Sequence, residues 1–392
     1  MTVRVRPLAD DELPAAWELG RLAFGGRREP PPEMLRPVPG ILRLGAFDDR
    51  GRLVGKATDT GHEQWWGGRR LATADVGGVA VAPEARGTGV ARAVLTDLLA
   101  RARERGAAVS ALFPTVSAPY RSLGWEVAGE LVGIDLDAAA LTRGRAPGTS
   151  VRPGRPGDLP AVTDLYERIA WSRSGLLTRR GGAFDLPSDG PWPNGADGAT
   201  LVEQDGVLTG ALVYRRGSGY GSDARLTADD LLATTPEAAH ALVGVLGSWA
   251  TVTPTVRLPL LRGDAVSALL PLERARPVSR DVWMHRPVDV VRAVADRGWP
   301  TAARGRVAFR LADDVAPWNA GDWELVVEDG GAELRVAGRE PDLWLTVRGF
   351  AVLYCGASSG CAAVQAGLAG GADPARLDLL AAGPRAELLD YF

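Results

Sequence analysis

The chain has 392 residues, of which 46% are hydrophobic and 24% charged, so it can form two or three domains with substantial cores. Its 45 basic and 48 acidic side chains give a formal charge of −3, which argues against a nucleic-acid binder that works through a large basic field. Two cysteines, no signal-peptide core and no apolar run of membrane-spanning length lead us to expect a cytoplasmic protein without a metal site or a membrane partner.

The first segment, residues 1–145, alternates strand and helix patterns in the manner of a mixed α/β domain. Its predicted strands lie at 2–8, 41–49, 52–60, 69–83, 107–115 and 126–136. Its predicted helices lie at 9–25 and 90–105, with a helical turn at 117–125. The two strands around Asp49-Arg50-Gly51 are predicted to form a hairpin.

The second segment, residues 150–284, repeats this order of elements after a boundary rich in Gly, Pro and Arg. A helix is predicted at 158–175, a hairpin at 199–217, a strand at 222–233 and a helix at 236–251. No basic, glycine-punctuated turn precedes that last helix. We therefore interpret the segment as a duplicated fold that has lost its ligand site.

The third segment, residues 285–392, has the pattern of an α+β module without a catalytic motif of its own. Its predicted half-buried strands lie at 305–313, 323–330, 332–338 and 343–349, and helical patterns lie at 350–357 and 361–368. The chain then runs to an apolar and aromatic end, "AELLDYF".

The most specific motif is the turn from Arg86 to Ala91, which fits the pattern R/Q-x-x-G-x-G/A between a strand and a helix. Its glycines let a ligand approach the backbone, and a helix N-terminus offers free N–H groups to a phosphate. The Walker pattern is absent, and the spacing does not fit the dinucleotide-binding fingerprint.

This strand, turn and helix resemble the acetyl-CoA motif of the GNAT N-acetyltransferases over most of residues 1–140. The resemblance implies acetyl-CoA as co-substrate, with its pyrophosphate on the amides of the turn and its pantetheine arm along the preceding strand. The implied CoA-binding residues are Val79, Ala80, Val81, Arg86, Gly87, Thr88, Gly89 and Val90.

The whole chain resembles the enhanced intracellular survival (Eis) family of these enzymes, through the turn, the stretch "LFPTVSAPYRSLGW" and the final "DYF". The resemblance implies tandem GNAT folds, the second one degenerate, followed by a sterol-carrier-protein-like domain. It also implies Tyr120 as general acid, the terminal carboxylate of Phe392 as general base, a CoA contact at Thr115 and a homo-hexamer.

The residues alone leave the acid and the base open. The phenol of Tyr120 can protonate a thiolate, but a tyrosine that packs on the core explains its position equally well. Asp75, on the strand before the turn, and His62, in a predicted loop, are the other candidate bases. An α-carboxylate becomes a useful base only in a dry site, and most chain ends are frayed.

The expected acceptor is an amine of a small molecule, and the Eis resemblance implies aminoglycosides among the acceptors. Candidate substrate contacts are Phe24, Asp59, Glu63 and Trp65, although "HEQWW" fits a surface loop equally well. Gly25 and Gly26 stand where aminoglycoside-acetylating members have an acid, which argues against tight binding of those substrates. The alternatives are a non-catalytic acyl-CoA or lipid-binding protein, and a protein lysine or N-terminal acetyltransferase.

Overall fold

The computed structural model of the chain describes residues 2–142, 146–181, 184 and 191–392. The strands of the first segment are β1 (Arg4–Pro7), β2 (Leu42–Phe47), β3 (Leu53–Asp59), β4 (Glu63–Trp66), β5 (Arg69–Val81), β6 (Val109–Leu112) and β7 (Glu126–Asp137). Those of the second are β8 (Ser150–Pro153), β9 (Ser174–Leu177), β10 (Gly198–Gln204), β11 (Val207–Arg216), β12 (Arg225–Ala233), β13 (Thr255–Pro259) and β14 (Arg276–Pro287).

The remaining strands form a separate sheet in the third segment. They are β15 (Gly305–Ala312), β16 (Gly321–Glu328), β17 (Gly331–Val336), β18 (Leu343–Thr346) and β19 (Ala369–Gly371). The α-helices are α1 (Leu13–Phe24), α2 (Val90–Glu104), α3 (Ser117–Arg121), α4 (Leu159–Trp171), α5 (Pro236–Ser248), α6 (Val290–Asp296), α7 (Val347–Tyr354) and α8 (Gly360–Gln365).

One large sheet joins the first two segments. Its strands follow the order β1-β2-β3-β5-β6-β14-β7-β13-β12-β11-β10-β8, with β4 and β9 off this path. Each segment contributes one parallel pair joined by a helix, β5-α2-β6 in the first and β12-α5-β13 in the second. This shared unit is the duplication that the sequence predicts.

Strand β14 connects the segments in a way that the sequence did not predict. It belongs to the second segment by chain order, yet it lies between β6 and β7 of the first and pairs with both. The domain boundary drawn at 284/285 falls within this strand. The predicted domain bounds, 1–145, 150–284 and 285–392, remain predictions.

The third segment packs its core onto the first. Its sheet has the order β17-β16-β15-β18-β19, and α7 packs between this sheet and β14. The buried ring of Trp66 on β4 lies 4.7 Å from that of Tyr354 on α7, centroid to centroid. One apolar cluster runs through both segments, so they share a core.

Residues 63–66 of the stretch "HEQWW" form the strand β4, so the surface-loop interpretation is wrong for these four residues. β4 pairs with β5 on one side and with β9 of the second segment on the other. Its alternation places Gln64 and Trp66 in the interior and leaves Trp65 partly exposed beside Arg70. The strand thereby joins the two segments next to the residues described below.

Candidate active site

The glycine turn presents open backbone at the start of a long helix. Gly87 and Gly89 have positive φ values of 75° and 89°, and Gly89 is the residue before α2. A Cβ built on either glycine would meet no atom within 4 Å. Residues 86–89 are exposed, whereas Val90 is buried and anchors the helix. The turn therefore has the geometry of an anion site at a helix N-terminus.

Strands β5 and β6 pair over only part of β5. Their parallel pairing joins Thr73–Val76 to Val109–Leu112. On its other edge β5 has an irregularity at Gly78, where φ is +58° and the register with β3 shifts. Among the described strands, none pairs with the β6-side edge of β5 beyond Val76. The edge formed by Val79, Ala80 and Val81 is thus available to an extended ligand.

Backbone hydrogen bonds fix the last residues of the chain to the second and third segments. The amide of Ala386 donates to the carbonyl of Cys355 in the third segment, and that of Glu387 donates to the carbonyl of Ser174 in the second, both at 2.9 Å. At Gly175 a Cβ would lie 2.5 Å from the carbonyl oxygen of Glu387. The two backbone segments therefore cross at a point where only glycine fits.

Asp390 continues this path through an ion-pair network. The guanidinium of Arg179 donates to Asp390 at 3.0 Å and to Asp230 at 2.8 Å, and it lies 3.8 Å from the ring centre of Tyr166. Arg179 adopts a positive φ of 52°, which costs about 1 kcal/mol for a residue with a side chain and which its two acidic partners offset.

The terminal residue lies at the point where β5 leaves β6. A Cβ on Gly77 would be 3.7 Å from the carboxyl carbon of Phe392, so the carboxyl group lies against this glycine. Phe113, directly after β6, stacks on Tyr391 at 4.4 Å and contacts the ring of Phe392 edge-on at 5.2 Å. The end of the chain is therefore packed rather than frayed.

Tyr120 lies on α3, next to this end of the chain. Its ring packs edge-on against Trp125 at 6.3 Å. Burial, with a smaller contribution from the phenol of Tyr391, raises the pKa of Tyr120 above its usual value of about 10. The phenol therefore keeps its proton at neutral pH, as a general acid must. Thr115, two residues after Phe113, is exposed.

His62 and Asp75 form a buried pair beside Phe392. The Nδ1 atom of His62 lies 3.0 Å from Oδ2 of Asp75, and the hydroxyl of Thr73 donates to Oδ1 at 3.1 Å. Burial raises the pKa of the Asp75 carboxyl, while the hydrogen bond to His62 acts in the opposite direction. The imidazole ring lies 6.1 Å from the ring of Phe392.

A cavity of about 780 Å³ lies in front of these groups. It is bounded by His62 and the last four residues of the chain on one side and by the second segment on the other. The charged side chains that line it are Asp164, Arg179, Arg180, Arg215, Asp229, Asp230 and Asp390. The degenerate second segment thus forms a large part of this cavity, a role that its sequence did not indicate.

The four predicted substrate residues lie elsewhere. Phe24 is 56% exposed at the end of α1, while Glu63 and Trp65 lie on β4. Asp59 is fully buried and accepts hydrogen bonds from Arg105 at 2.8 to 3.1 Å, so its predicted substrate contact is incompatible with its position. Among the described cavity-lining residues, none of the four occurs.

The described part of the chain, residues 2–142, 146–181, 184 and 191–392, contains neither a candidate metal site nor a helix that could span a membrane. No group of three or more His, Cys, Asp or Glu side chains there could hold a metal ion. Within the same ranges, no helix is long and apolar enough to cross a membrane.

Comparisons with known proteins agree with this architecture. Residues 4–128 and 175–293 match two family models that are each described as an acetyltransferase (GNAT) domain, and residues 290–388 match the sterol carrier protein domain. An uncharacterized N-acetyltransferase of Streptomyces coelicolor is 29% identical over 380 residues, covering 91% of this chain and 90% of the relative.

Solved structures show the same fold over the whole chain. A GCN5-related N-acetyltransferase from Kribbella flavida superposes with a TM-score of 0.84 and 29% identity, covering 100% of this chain and 98% of the other. Eis1 from Mycobacterium abscessus superposes with a TM-score of 0.79 and 22% identity, covering 99% and 100%. The predicted fold class, two GNAT folds followed by a sterol-carrier-like domain, is confirmed.

Proposed function

We propose that this chain is an Eis-like N-acetyltransferase of the GNAT type that transfers the acetyl group of acetyl-CoA to an amine of a small molecule by direct attack. One observation carries the proposal. The carboxyl group of Phe392 lies against Gly77, where β5 separates from β6, and it borders the cavity. Direct attack requires a neutral amine, so a proton acceptor at this position is chemically necessary.

Acetyl-CoA would lie along the open edge of β5. The pyrophosphate would accept hydrogen bonds from the exposed amides of residues 86–90, which the dipole of α2 supports. The pantetheine arm would pair with the backbone of residues 79–81, and the hydroxyl of Thr115 would contact the cofactor. The thioester would then lie next to Gly77 and the end of the chain.

The protons of the reaction balance with two protein groups. As the nitrogen attacks the thioester carbon, the carboxylate of Phe392 takes one N–H proton. The C–S bond breaks, and Tyr120 gives its phenolic proton to the departing CoA thiolate. The proton on Phe392 then returns to Tyr120, which restores both groups. An α-carboxylate becomes a useful base in a dry site, and the ring of Phe113 packs against both Tyr391 and Phe392 at this end of the chain.

The cavity suits an acceptor that carries several amines. Its four aspartates and the carboxylate of Phe392 outnumber its three arginines. Arg179 is paired with Asp230, and Arg215 with Asp229, so these arginines do not repel a cation strongly. We therefore propose polycationic amines, including aminoglycosides, as the first substrates to test.

The decisive experiment measures CoA thiol release with a panel of amines, aminoglycosides included. We compare the wild type with a variant that carries two glycines after Phe392 and with Tyr120→Phe. The extended variant should lose about 100-fold or more in kcat because its carboxylate is displaced, a typical contribution of general acid–base catalysis. Acetyl-CoA affinity, measured by calorimetry, should stay within about twofold because the turn is untouched.

A variant with two glycines added before Met1 is the matched control and should retain full activity. Undiminished turnover in the C-terminally extended variant would remove Phe392 from the mechanism. Tight acetyl-CoA binding without turnover of any amine would contradict the proposed reaction.

We further propose that the protein acts in the cytoplasm as a homo-hexamer, without a nucleic-acid or membrane partner. Light scattering on the purified protein tests the assembly, because a hexamer and a monomer differ sixfold in mass. A monomeric mass across micromolar concentrations would contradict it.

A further inference from the structure

His62 is a buried histidine that lines the cavity, and the proposed reaction assigns it no role. Its side chain is 6% exposed, and its Nε2 atom is buried without a hydrogen-bond partner among the described residues. An unpartnered polar atom costs about 1–3 kcal/mol in the interior, so its retention points to a ligand. The residue lines the same cavity as Phe392.

The surroundings of His62 fix its tautomer. Asp75 receives hydrogen bonds on both oxygens, from Thr73 on Oδ1 and from Nδ1 of His62 on Oδ2. The proton of the neutral imidazole therefore resides on Nδ1, and Nε2 carries the lone pair. The hydroxyl of Thr60 lies 3.2 Å from Nδ1 and donates to the backbone carbonyl of Asp75, which ties the loop to β5.

The backbone holds the ring in this position. Gly61 has a φ of +63°, and a Cβ there would lie 2.2 Å from the carbonyl oxygen of Gly40. Only glycine fits this crossing, so the residue before His62 is fixed. On the cavity side, the ring of Phe184 lies 5.1 Å from the imidazole and that of Phe392 lies 6.1 Å away.

Resting on the proposed acetyl transfer, we infer that His62 Nε2, oriented by Asp75, removes the proton from the bound ammonium group of the acceptor before the attack. The reaction converts R–NH3⁺ into R–NH–acetyl, so the nitrogen loses two protons. His62 takes the first and releases it to solvent. The carboxylate of Phe392 takes the second during C–N bond formation, and CoA leaves as the thiol.

The charged groups around His62 support the assignment of the first proton to His62 and of the second to Phe392. Asp75 faces it from β5, and the carboxylate of Phe392 faces the cavity from the end of the chain. Behind Asp75 lies the Arg105–Asp59 pair, whose opposite charges largely cancel. Asp75 accepts the hydrogen bond from Nδ1, so Nε2 is the nitrogen that is left to take a proton from the acceptor.

The test compares two acceptors that differ in protonation. One is a primary alkylamine, which is protonated at neutral pH, and the other is an acyl hydrazide, whose terminal nitrogen is already neutral. In His62→Gln, kcat/KM should fall roughly 100-fold for the alkylamine at neutral pH and change less than about threefold for the hydrazide. The alkylamine defect should shrink as the pH approaches the pKa of that amine.

Asp75→Asn provides a second variant, which keeps the shape but not the orienting charge. It should show the same pattern with a smaller defect. His240→Gln replaces an exposed histidine on α5 and is the matched control. Thermal unfolding of each variant reports on the fold.

Equal losses for both acceptors at every pH, or no loss at all, would overturn the role of His62 and leave the acetyl-transfer proposal intact. If instead the wild type turns over neither acceptor, the proposed reaction and this inference both fail. Loss of turnover in Tyr120→Phe and in the C-terminally extended variant would support the acetyl-transfer reaction independently of His62, because neither variant alters that residue.

Discussion

At the residue scale, Gly77 sets where the carboxyl group of Phe392 can lie. A single methyl group at this position would be 3.7 Å from the carboxyl carbon, which is ordinary van der Waals contact. We expect Gly77→Ala to be nearly as active as the wild type. Gly77→Val adds two further methyl groups that occupy the space of the carboxylate. Its kcat should fall about 10- to 100-fold, because a displacement near 1 Å at a reacting group has effects of that size.

Steady-state kinetics on the two variants, with calorimetric acetyl-CoA binding alongside, checks this prediction. Gly77 is not in the positive-φ region, so neither variant strains the backbone. Equal activity of the valine and alanine variants would show that the carboxylate need not lie against this glycine.

Individual residues were predicted from the sequence where a local pattern constrains them. The glycines at 87 and 89 were singled out as the part of a strand-to-helix turn that lets a ligand approach the backbone, and both have a positive φ. Asp59 was misassigned because its burial depends on Arg105, 46 positions later. The pairing of His62 with Asp75 required the β4–β5 hairpin, which was not predicted.

At the scale of elements, the last residues of the chain act as a strap that crosses all three segments. Its path depends on the contact between Asp390 and Arg179, which lies in the second segment. Asp390→Asn preserves the shape of the side chain but removes one charged partner of Arg179. We expect the end of the chain to become more mobile and kcat to fall about tenfold, since removing a charge-assisted hydrogen bond costs 1.5–3 kcal/mol.

Two measurements check this prediction. Carboxypeptidase should release Phe392 faster from Asp390→Asn than from the wild type, and kcat should fall while acetyl-CoA affinity stays unchanged. Asp223→Asn, at an exposed position in the second segment, is the matched control. An unchanged rate of Phe392 release would mean that the remaining contacts suffice to hold the strap.

The sequence predicted most elements but not their assembly. Amphipathic periodicity agrees with α1, α2 and α4, because each repeats its buried side chains every three to four residues, whereas α5 is buried on most sides. The insertion of β14 between β6 and β7 could not be predicted, since hydrogen bonds between strands far apart in sequence leave no local pattern. The cavity depends on that assembly and was therefore missed as well.

At the scale of the whole molecule, a buried ion pair connects β14 to the third segment, and a hydrogen bond connects β14 to the first segment. Arg286 on β14 forms a fully buried ion pair with Asp313, which follows β15, at 2.8 Å. It also donates to the carbonyl of Leu123 at 2.6 Å. Breaking such a buried pair by removing one partner typically costs 3–5 kcal/mol. The end of the chain is thus positioned by a rigid scaffold.

The same interface contains a histidine that makes the molecule sensitive to acid. His285 on β14 is fully buried, stacks on Tyr354 at 5.6 Å and has no hydrogen-bond partner for either ring nitrogen among the described residues. Burial, helped by the nearby charge of Arg297, lowers the pKa of His285 from 6.5 to about 3. The imidazole is therefore neutral in the folded protein at neutral pH.

Because this folded-state pKa is depressed, the unfolded chain binds a proton that the folded chain does not as the pH falls below 6.5. The stability contributed by neutral His285 is complete above that pH and is lost as the pH falls from 6.5 towards 3. One proton gives about 1.4 kcal/mol per pH unit, so His285 should account for roughly 2.5 kcal/mol of destabilisation between pH 6.5 and 4.5.

His285→Phe removes the titrating group while keeping an aromatic ring on Tyr354. Its free energy of unfolding, measured in denaturant at several pH values, should fall less steeply between pH 6.5 and 4.5 than that of the wild type. The difference in slope should be close to one proton. His240→Gln, which alters an exposed histidine, should follow the wild type. Parallel slopes for His285→Phe and the wild type would show that His285 gains a proton in the folded state, which its buried, stacked position opposes.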